Sequence, residues 1–266
     1  MNNKKKFKKI LIMGLPGSGK TTLAKLISKK LKLPLLNADV VRKKYNDWDF
    51  SLLGRIRQAK RMDYLANLLI KKEKKDVLVD FVCPTKDSLK NFRYDLLIWM
   101  DTIKESRFQN INKIFKKPKK YSLRVLTKDS NLWFFPVVDL IKPYIWKDTK
   151  PTVQMLGRFQ PWHLGHRKLF EKTLLRNNQV NIQVKDMKQN KNNPYNFSYI
   201  KKSILEDLKI YKQRFKITKV PNIMEICYGR TVGYKFKKIK LTKQLHKISA
   251  TKLRKKMKSL KNQHEV

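Results

Sequence analysis

Eight residues near the start of the chain, Gly14-Leu-Pro-Gly-Ser-Gly-Lys-Thr21, satisfy the spacing G-x-x-x-x-G-K-[ST]. Glycines at such spacing let successive backbone N–H groups turn inward around an anion, while a lysine bridges the outer phosphates and a hydroxyl offers magnesium a hard oxygen. Gly14, Gly17, Ser18, Gly19, Lys20, Thr21 and Thr22 are therefore read as one nucleoside-triphosphate site. A second chemical constellation lies far downstream, in Gly157-Arg-Phe-Gln-Pro-Trp-His-Leu-Gly-His166. His163 and His166 are one helical turn apart, so both imidazoles can donate hydrogen bonds to an α-phosphate that gains charge in a transition state. A zinc site requires more ligands than two histidines, and no third stands nearby in sequence.

The elements needed to position these groups can be read around them. Ile10 to Met13 predicts a short buried strand, and Thr21 to Leu31 places Leu23, Leu26, Ile27 and Leu31 at helical spacing. A glycine turn between strand and helix aims the helix N-terminus at the anion. Leu33 to Asp39 predicts a second strand ending in Asp39, and Asp76 to Val82 a third with Asp80 near its end. Carboxylates at strand C-termini face the crevice of an open α/β sheet, which makes Asp39 and Asp80 candidates; each also fits a strand-end cap or turn. Leu52 to Lys71 predicts a helix that buries Ile56, Ala59, Leu65, Ala66 and Leu69 and sets Arg57 and Arg61 one turn apart. In the second half, Val153 to Leu156 predicts a strand, Gly157 a turn that admits phosphate, and Leu164 to Leu175 a helix.

The 266 residues leave room for two domains, and 41% hydrophobic with 11% aromatic content supports a core in each. The seam Trp146-Lys-Asp-Thr-Lys-Pro151 follows the apolar stretch Leu132 to Ile141 and predicts domains over residues 1–148 and 151–266. Cys83 and Cys227 are too far apart in sequence for a metal or redox motif, which fits a reducing cytoplasm. The basic run Lys4 to Lys9 precedes only four apolar residues, too few for a signal peptide, and no stretch has the roughly 18 apolar residues of a membrane span. The expectation is a cytoplasmic protein without a membrane partner. Net charge is +44, yet only 13 of the 64 basic residues are arginine, the residue favoured for base-edge and bidentate phosphate recognition. The lysine excess reads as compositional bias, which concentrates anionic substrates and predicts no specific nucleic-acid partner.

The first half resembles the adenylyl-sulfate kinases, a family of small P-loop kinases. The similarity rests on Gly14 to Thr22, on Asn37-Ala-Asp-Val-Val-Arg42 where that family has Asp-Gly-Asp followed by arginine, and on Phe81-Val-Cys-Pro84 where it has Phe-x-Ser-Pro. It spans roughly residues 7 to 120. The resemblance implies that Lys20 stabilises the transferring phosphoryl group, Thr21 binds Mg2+, Asp39 accepts the proton of the substrate hydroxyl and Arg42 holds the substrate phosphosulfate. Asp80 joins Thr21 as a metal candidate, and Arg57 joins Arg42 at the substrate. Asn37 in place of an aspartate, Lys86 in place of an arginine, and the lid region Arg107 to Tyr121 depart from the family pattern.

The second half resembles the nucleotidyltransferase superfamily that includes nicotinamide-mononucleotide adenylyltransferases and cytidylyltransferases. Gly157 to His166 is similar to its first signature, and Ile248-Ser-Ala-Thr-Lys-Leu-Arg254 to its second, Ile-Ser-x-Thr-x-x-Arg. By that likeness Gly157, Arg158, Phe159, Ser249, Thr251 and Arg254 bind the nucleotide, and His163, His166 and Arg254 act on the phosphates, which depart as pyrophosphate. Gly-Arg-Phe-Gln-Pro leans toward the nicotinamide-mononucleotide branch, and Asn193-Pro-Tyr195 is similar to an Asn-Pro-Phe stretch there. Tyr228-Gly-Arg-Thr-Val-Gly-Tyr234 either presents Arg230 to an anionic substrate or forms a simple turn.

The expected architecture is α/β: a P-loop kinase domain with a parallel sheet, followed by a Rossmann-like nucleotidyltransferase domain. The expected function is bifunctional, pairing ATP-dependent phosphorylation of a small hydroxyl acceptor with nucleotidyl transfer from ATP or CTP. A riboside kinase joined to a nicotinamide-nucleotide adenylyltransferase is an alternative, and a nucleotide-sensing or nucleic-acid-binding regulator is another. A homo-oligomer stays open.

Overall fold

The computed structural model describes residues 6–227, 229, 233, 235–239, 251, 253 and 254. It divides into two compact units, Met1–Lys142 and Pro143–Val266.

The first unit opens with strand β1 (Lys9–Gly14), every residue of which is buried. The loop after it leads into helix α1 (Lys20–Leu31). Strand β2 (Leu35–Asn37), helices α2 (Ala38–Lys44) and α3 (Leu52–Glu73), and strand β3 (Val77–Asp80) follow. Helix α4 (Lys86–Asn91), strand β4 (Leu96–Met100), helix α5 (Gln109–Ile114), strand β5 (Leu123–Val125) and helix α6 (Ser130–Ile141) complete it. The five strands form one parallel sheet in the order β2-β3-β1-β4-β5. Parallel sheets need cover on both faces, and this accounts for the apolar run Ile10 to Met13 of β1. Leu11 and Met13 join a core with Ala59, Met62, Phe92 and Trp99, whereas Ile10 and Ile12 join another with Leu23, Ile27, Trp133 and Val137.

Two sequence expectations are corrected in this unit. The second strand ends at Asn37, not at Asp39, because the Asn37 side chain accepts the N–H groups of Asp39 and Val40 and starts α2 there. Asp39 therefore sits in the first turn of a helix. The buried stripe of α3 is rotated from the expected one: Arg55, Gln58 and Met62 are buried with Ala59 and Ala66, and Ile56, Leu65 and Leu69 are half-buried. Gln58 can enter because its Nε2 donates to the carbonyl of Ala38. Helices α1 and α3 end on Lys32 (φ 52°) and Lys74 (φ 53°), both left-handed.

The unit boundary falls before Pro143, ahead of the expected seam, because the segment after it is tied into the second unit. Tyr144 bonds through its hydroxyl to Gln179 and through its N–H to Gln213, and Gln179 donates to the carbonyls of Lys147 and Lys150. The second unit then runs through β6 (Val153–Gly157), α7 (Leu164–Asn177), β7 (Val180–Lys185), α8 (Phe197–Asp207) and β8 (Phe215–Val220). Its strands are parallel in the order β6-β7-β8. Met155, Phe170, Leu174, Ile182, Ile204 and Tyr211 are buried around this sheet.

Candidate functional sites

In the first unit, backbone geometry makes the phosphate loop. Gly17 (φ 80°) and Gly19 (φ 93°) are left-handed, which a side chain would strain, and they turn the chain from the end of β1 into α1. A Cβ at Gly14 would lie 2.6 Å from the carbonyl oxygen of Met100 on the neighbouring strand β4. Ser18 is fully buried and its Oγ has no hydrogen-bond partner. Lys20 is 8% exposed, and its Nζ donates to the carbonyl of Leu15 at 3.0 Å. Burial holds its pKa below the usual lysine value, against the opposing pull of Asp80 and Asp39.

Asp80, 2% exposed at the end of β3, anchors the acidic side of this site. Its Oδ2 accepts from the Thr21 hydroxyl at 2.5 Å and from Asn37 Nδ2 at 2.8 Å. Asn37 therefore does two jobs, capping α2 with its oxygen and holding Asp80 with its nitrogen. The order of the sheet dictates this meeting, since β2 and β1 flank β3 on either side. Asp39 is exposed one turn before Arg42 on α2.

Arg42 and Arg57 are both engaged within the protein. Arg42 is 4% exposed; its Nη1 donates to the carbonyls of Asp47 and Asp49, and its guanidinium lies over Phe50. Arg57 forms two hydrogen bonds with Asp47 and one with Asp49, and Arg61 adds a further bond to Asp47. The guanidiniums of Arg57 and Arg61 hold the Asp47 carboxyl well below the ordinary carboxylate range. Asp47, to which no sequence pattern assigns a role, is the hub of this cluster.

A cavity of about 260 Å³ beside the phosphate loop is lined by Gly17, Gly19, Thr22, Met100, Thr127 and Trp133, with Val125, Lys128 and Ser130. Trp133 is fixed there by its Nε1, which donates to the Thr127 hydroxyl. Sequence reasoning placed Trp133 in an apolar run before a seam and missed this pocket wall.

In the second unit, His163 is the N-cap of α7, its Nδ1 accepting from the N–H of Gly165 at 3.1 Å. That capping stands the two rings together: His163 and His166 are stacked with centroids 3.7 Å apart. Phe159 meets His166 edge-on at 5.0 Å and Trp162 lies 5.4 Å away, so an aromatic wall encloses the inner histidine. His166 Nδ1 is buried without a hydrogen-bond partner. Burial, with a smaller push from His163, lowers the His166 pKa to about 3, and burial lowers that of His163. Burial thus disfavours the protonated form of both imidazoles.

Around this pair, a Cβ at Gly157 would strike the Phe159 ring at 2.8 Å, and Arg158 is exposed. Arg254 reaches the same loop, its Nη1 donating to the carbonyl of Gln160 while its Nη2 contacts the Thr251 hydroxyl. Gln160 also exchanges two hydrogen bonds with the backbone of Tyr195, which seats the Asn193-Pro-Tyr195 stretch against the loop. Arg230 and Ser249 lie outside the described residues.

Among the described residues, no group of three or more His, Cys, Asp or Glu side chains is arranged to hold a metal, and no helix is long and apolar enough to cross a membrane.

The first unit is an α/β parallel-sheet fold of the P-loop kinase kind, with its phosphate loop, lysine, hydroxyl and strand-end carboxylate in one place. Residues 6–122 match the family model of adenylylsulphate kinase. Among solved structures, an APS kinase of Mycobacterium tuberculosis bound to AMPPNP and APS is 24% identical over 51% of this chain and 98% of its own, with a TM-score of 0.45. A sugar kinase from Janibacter sp. is 14% identical over 52% of this chain and 97% of its own (TM-score 0.43), and a hexameric APS kinase from Thiobacillus denitrificans 16% identical over 52% and 30% (TM-score 0.38). No curated protein matches the chain in sequence.

Proposed function

We propose that the chain carries two phosphate-transfer activities: phosphorylation of a hydroxyl on a small, adenylyl sulfate-like acceptor by ATP, and nucleotidyl transfer from ATP or CTP to a phosphorylated acceptor. The observation that carries the first is the Asp80 carboxylate joining Thr21 and Asn37 beneath the phosphate loop. Thr21 and Asp80 are hard oxygen donors and fit Mg2+, which would neutralise charge on the outer phosphates. Lys20 follows the transferring phosphoryl group, and Asp39, exposed at the head of α2, takes the proton of the acceptor hydroxyl. Catalysis by such a site is positioning and electrostatics rather than covalent chemistry.

In the second unit, support comes from the stacked His163 and His166 at the head of α7 and from Arg254 meeting the Gly157-to-Gln160 loop. The histidines would donate to the α-phosphate, with Arg158, Thr251 and Arg254 on the phosphates that leave. A riboside kinase paired with nicotinamide-nucleotide adenylyl transfer is a second reading, favoured by the docking of Tyr195 on Gln160. A coupled ADP-release assay with adenylyl sulfate and with nicotinamide riboside, run beside a pyrophosphate-release assay with nicotinamide mononucleotide and sugar phosphates, decides between them. Turnover with adenylyl sulfate supports the first reading. Turnover with nicotinamide riboside alone replaces it with the second, and release of neither ADP nor pyrophosphate overturns both.

A further inference from the structure

The two sites differ in one chemical respect: among the described residues, only the first offers a group to remove a proton from its acceptor. There Asp39 is exposed, one turn from Arg42 and close enough to Lys20 to influence its charge. Around the histidine pair the carboxylates are already engaged. Asp207 accepts from Trp162 Nε1 and Arg167 Nη1, both at 2.8 Å. Glu171 accepts from Arg167 at 2.9 Å and from Lys168 at 2.7 Å. His163 Nδ1 is occupied by the Gly165 N–H, and His166 is closed in by Phe159 and Trp162. Both imidazoles are poor bases there, because burial disfavours their protonated form.

A hydroxyl nucleophile needs a base at its proton, whereas an ionised oxyanion needs none. The second site, with the cations Arg158 and Arg254 beside the start of α7, suits an acceptor that arrives already ionised. The first site makes such a group from a neutral hydroxyl.

We infer that the two units catalyse consecutive steps, the phosphate monoester made by the first being the nucleophile of the second. The inference rests on the two-activity reading above. In the first step the acceptor oxygen bonds to the γ-phosphorus, the β–γ bridging bond breaks, ADP leaves and the hydroxyl proton passes to Asp39 and then to water. In the second, a non-bridging oxygen of the new monoester bonds to the α-phosphorus of a nucleoside triphosphate, and the bond to the β-phosphate breaks to release pyrophosphate. No proton need be removed from the nucleophile.

The test follows the γ-phosphorus of ATP. Full-length protein is incubated with [γ-32P]ATP, unlabelled CTP and nicotinamide riboside or adenylyl sulfate, whichever gives ADP release, and the products are treated with alkaline phosphatase. Consecutive action leaves the label in a phosphatase-resistant bridge between acceptor and nucleoside, with pyrophosphate appearing in step. His166→Ala should shift at least nine-tenths of that label into a phosphatase-sensitive monoester. Lys20→Met should lower labelled product about a hundredfold to a thousandfold, and the chemically phosphorylated acceptor should restore pyrophosphate release; circular dichroism checks that both variants fold. Label that stays phosphatase-sensitive in the wild type, while another phosphorylated compound supports pyrophosphate release, overturns the coupling and leaves both activities standing. Absence of pyrophosphate release with every phosphorylated compound overturns the second activity and the coupling with it.

Discussion

Replacing Lys20 by methionine should separate catalysis from stability in opposite directions. The ammonium is 8% exposed and has one neutral partner, the Leu15 carbonyl at 3.0 Å, while Asp80 is bound instead to Thr21 and Asn37. Its lowered pKa means that the desolvation penalty exceeds the attraction of Asp80 and Asp39, so the charged lysine destabilises the nucleotide-free fold. Methionine fills similar space without the penalty, so Lys20→Met should leave the Tm in the absence of nucleotide unchanged or higher at pH 7. The sign with pH follows. A lysine whose folded-state pKa lies below its unfolded value binds fewer protons when folded, so wild-type stability gains on the variant as pH rises through the lowered pKa toward about 10.4. For phosphoryl transfer the effect reverses. Loss of one preorganised donor to the transferring group costs about 2.7–4 kcal/mol, a hundredfold to a thousandfold in rate. Thermal denaturation from pH 7 to 10, with and without ATP and Mg2+, and ADP-release kinetics give both readouts. A variant that melts well below wild type at pH 7 without nucleotide, or that keeps its full rate, refutes the reasoning.

Three other perturbations probe different links. His166→Ala should slow pyrophosphate release about a hundredfold to a thousandfold while changing nucleotide Kd far less, because Arg158, Arg254 and the head of α7 remain; equal losses in rate and binding would contradict this. Gly14→Ala places a methyl 2.6 Å from the Met100 oxygen and should lower stability by about 1–3 kcal/mol, read as a Tm drop of about 3–10 °C; an unchanged Tm would show that β4 yields freely. Asp47, whose pKa is depressed by Arg57 and Arg61, contributes stability above its unfolded value of about 3.9 that is lost as pH falls through the lower folded value. Asp47→Asn should therefore destabilise at pH 7 and approach wild type in acid, and a pH-independent difference would exclude the ionic account.

The phosphate loop was legible because its function is written in consecutive residues, and the strand before it and helix after it are periodic over enough length to be read. Asp80 was legible for a related reason, standing at the end of a continuous apolar run. Asn37 was not: beside a family pattern it reads as a lost charge, and only the parallel pairing of β2 with β3 reveals that its amide meets Asp80. Arg42 was legible as a cation but not as a buried one, since the carbonyls that satisfy it belong to an irregular loop whose path no periodicity predicts. The same limit hid Trp133 and Thr127, which reach the phosphate loop only because β5 lies beside β4. The unit boundary was displaced because Gln179, fully buried and distant in sequence, holds the segment around Lys147 through side-chain bonds.

The lysine bias of the chain reaches into its backbone as well as its surface. Helices α1 and α3 close on Lys32 and Lys74, where many helices place glycine because a Cβ is unfavourable in a left-handed cap. Each such lysine costs about 1–2 kcal/mol relative to an unstrained conformation, and the whole chain has only 8 glycines against 64 lysines and arginines. Unused thermostability thus lies at two helix ends, where Lys32→Gly or Lys74→Gly would relieve the left-handed strain.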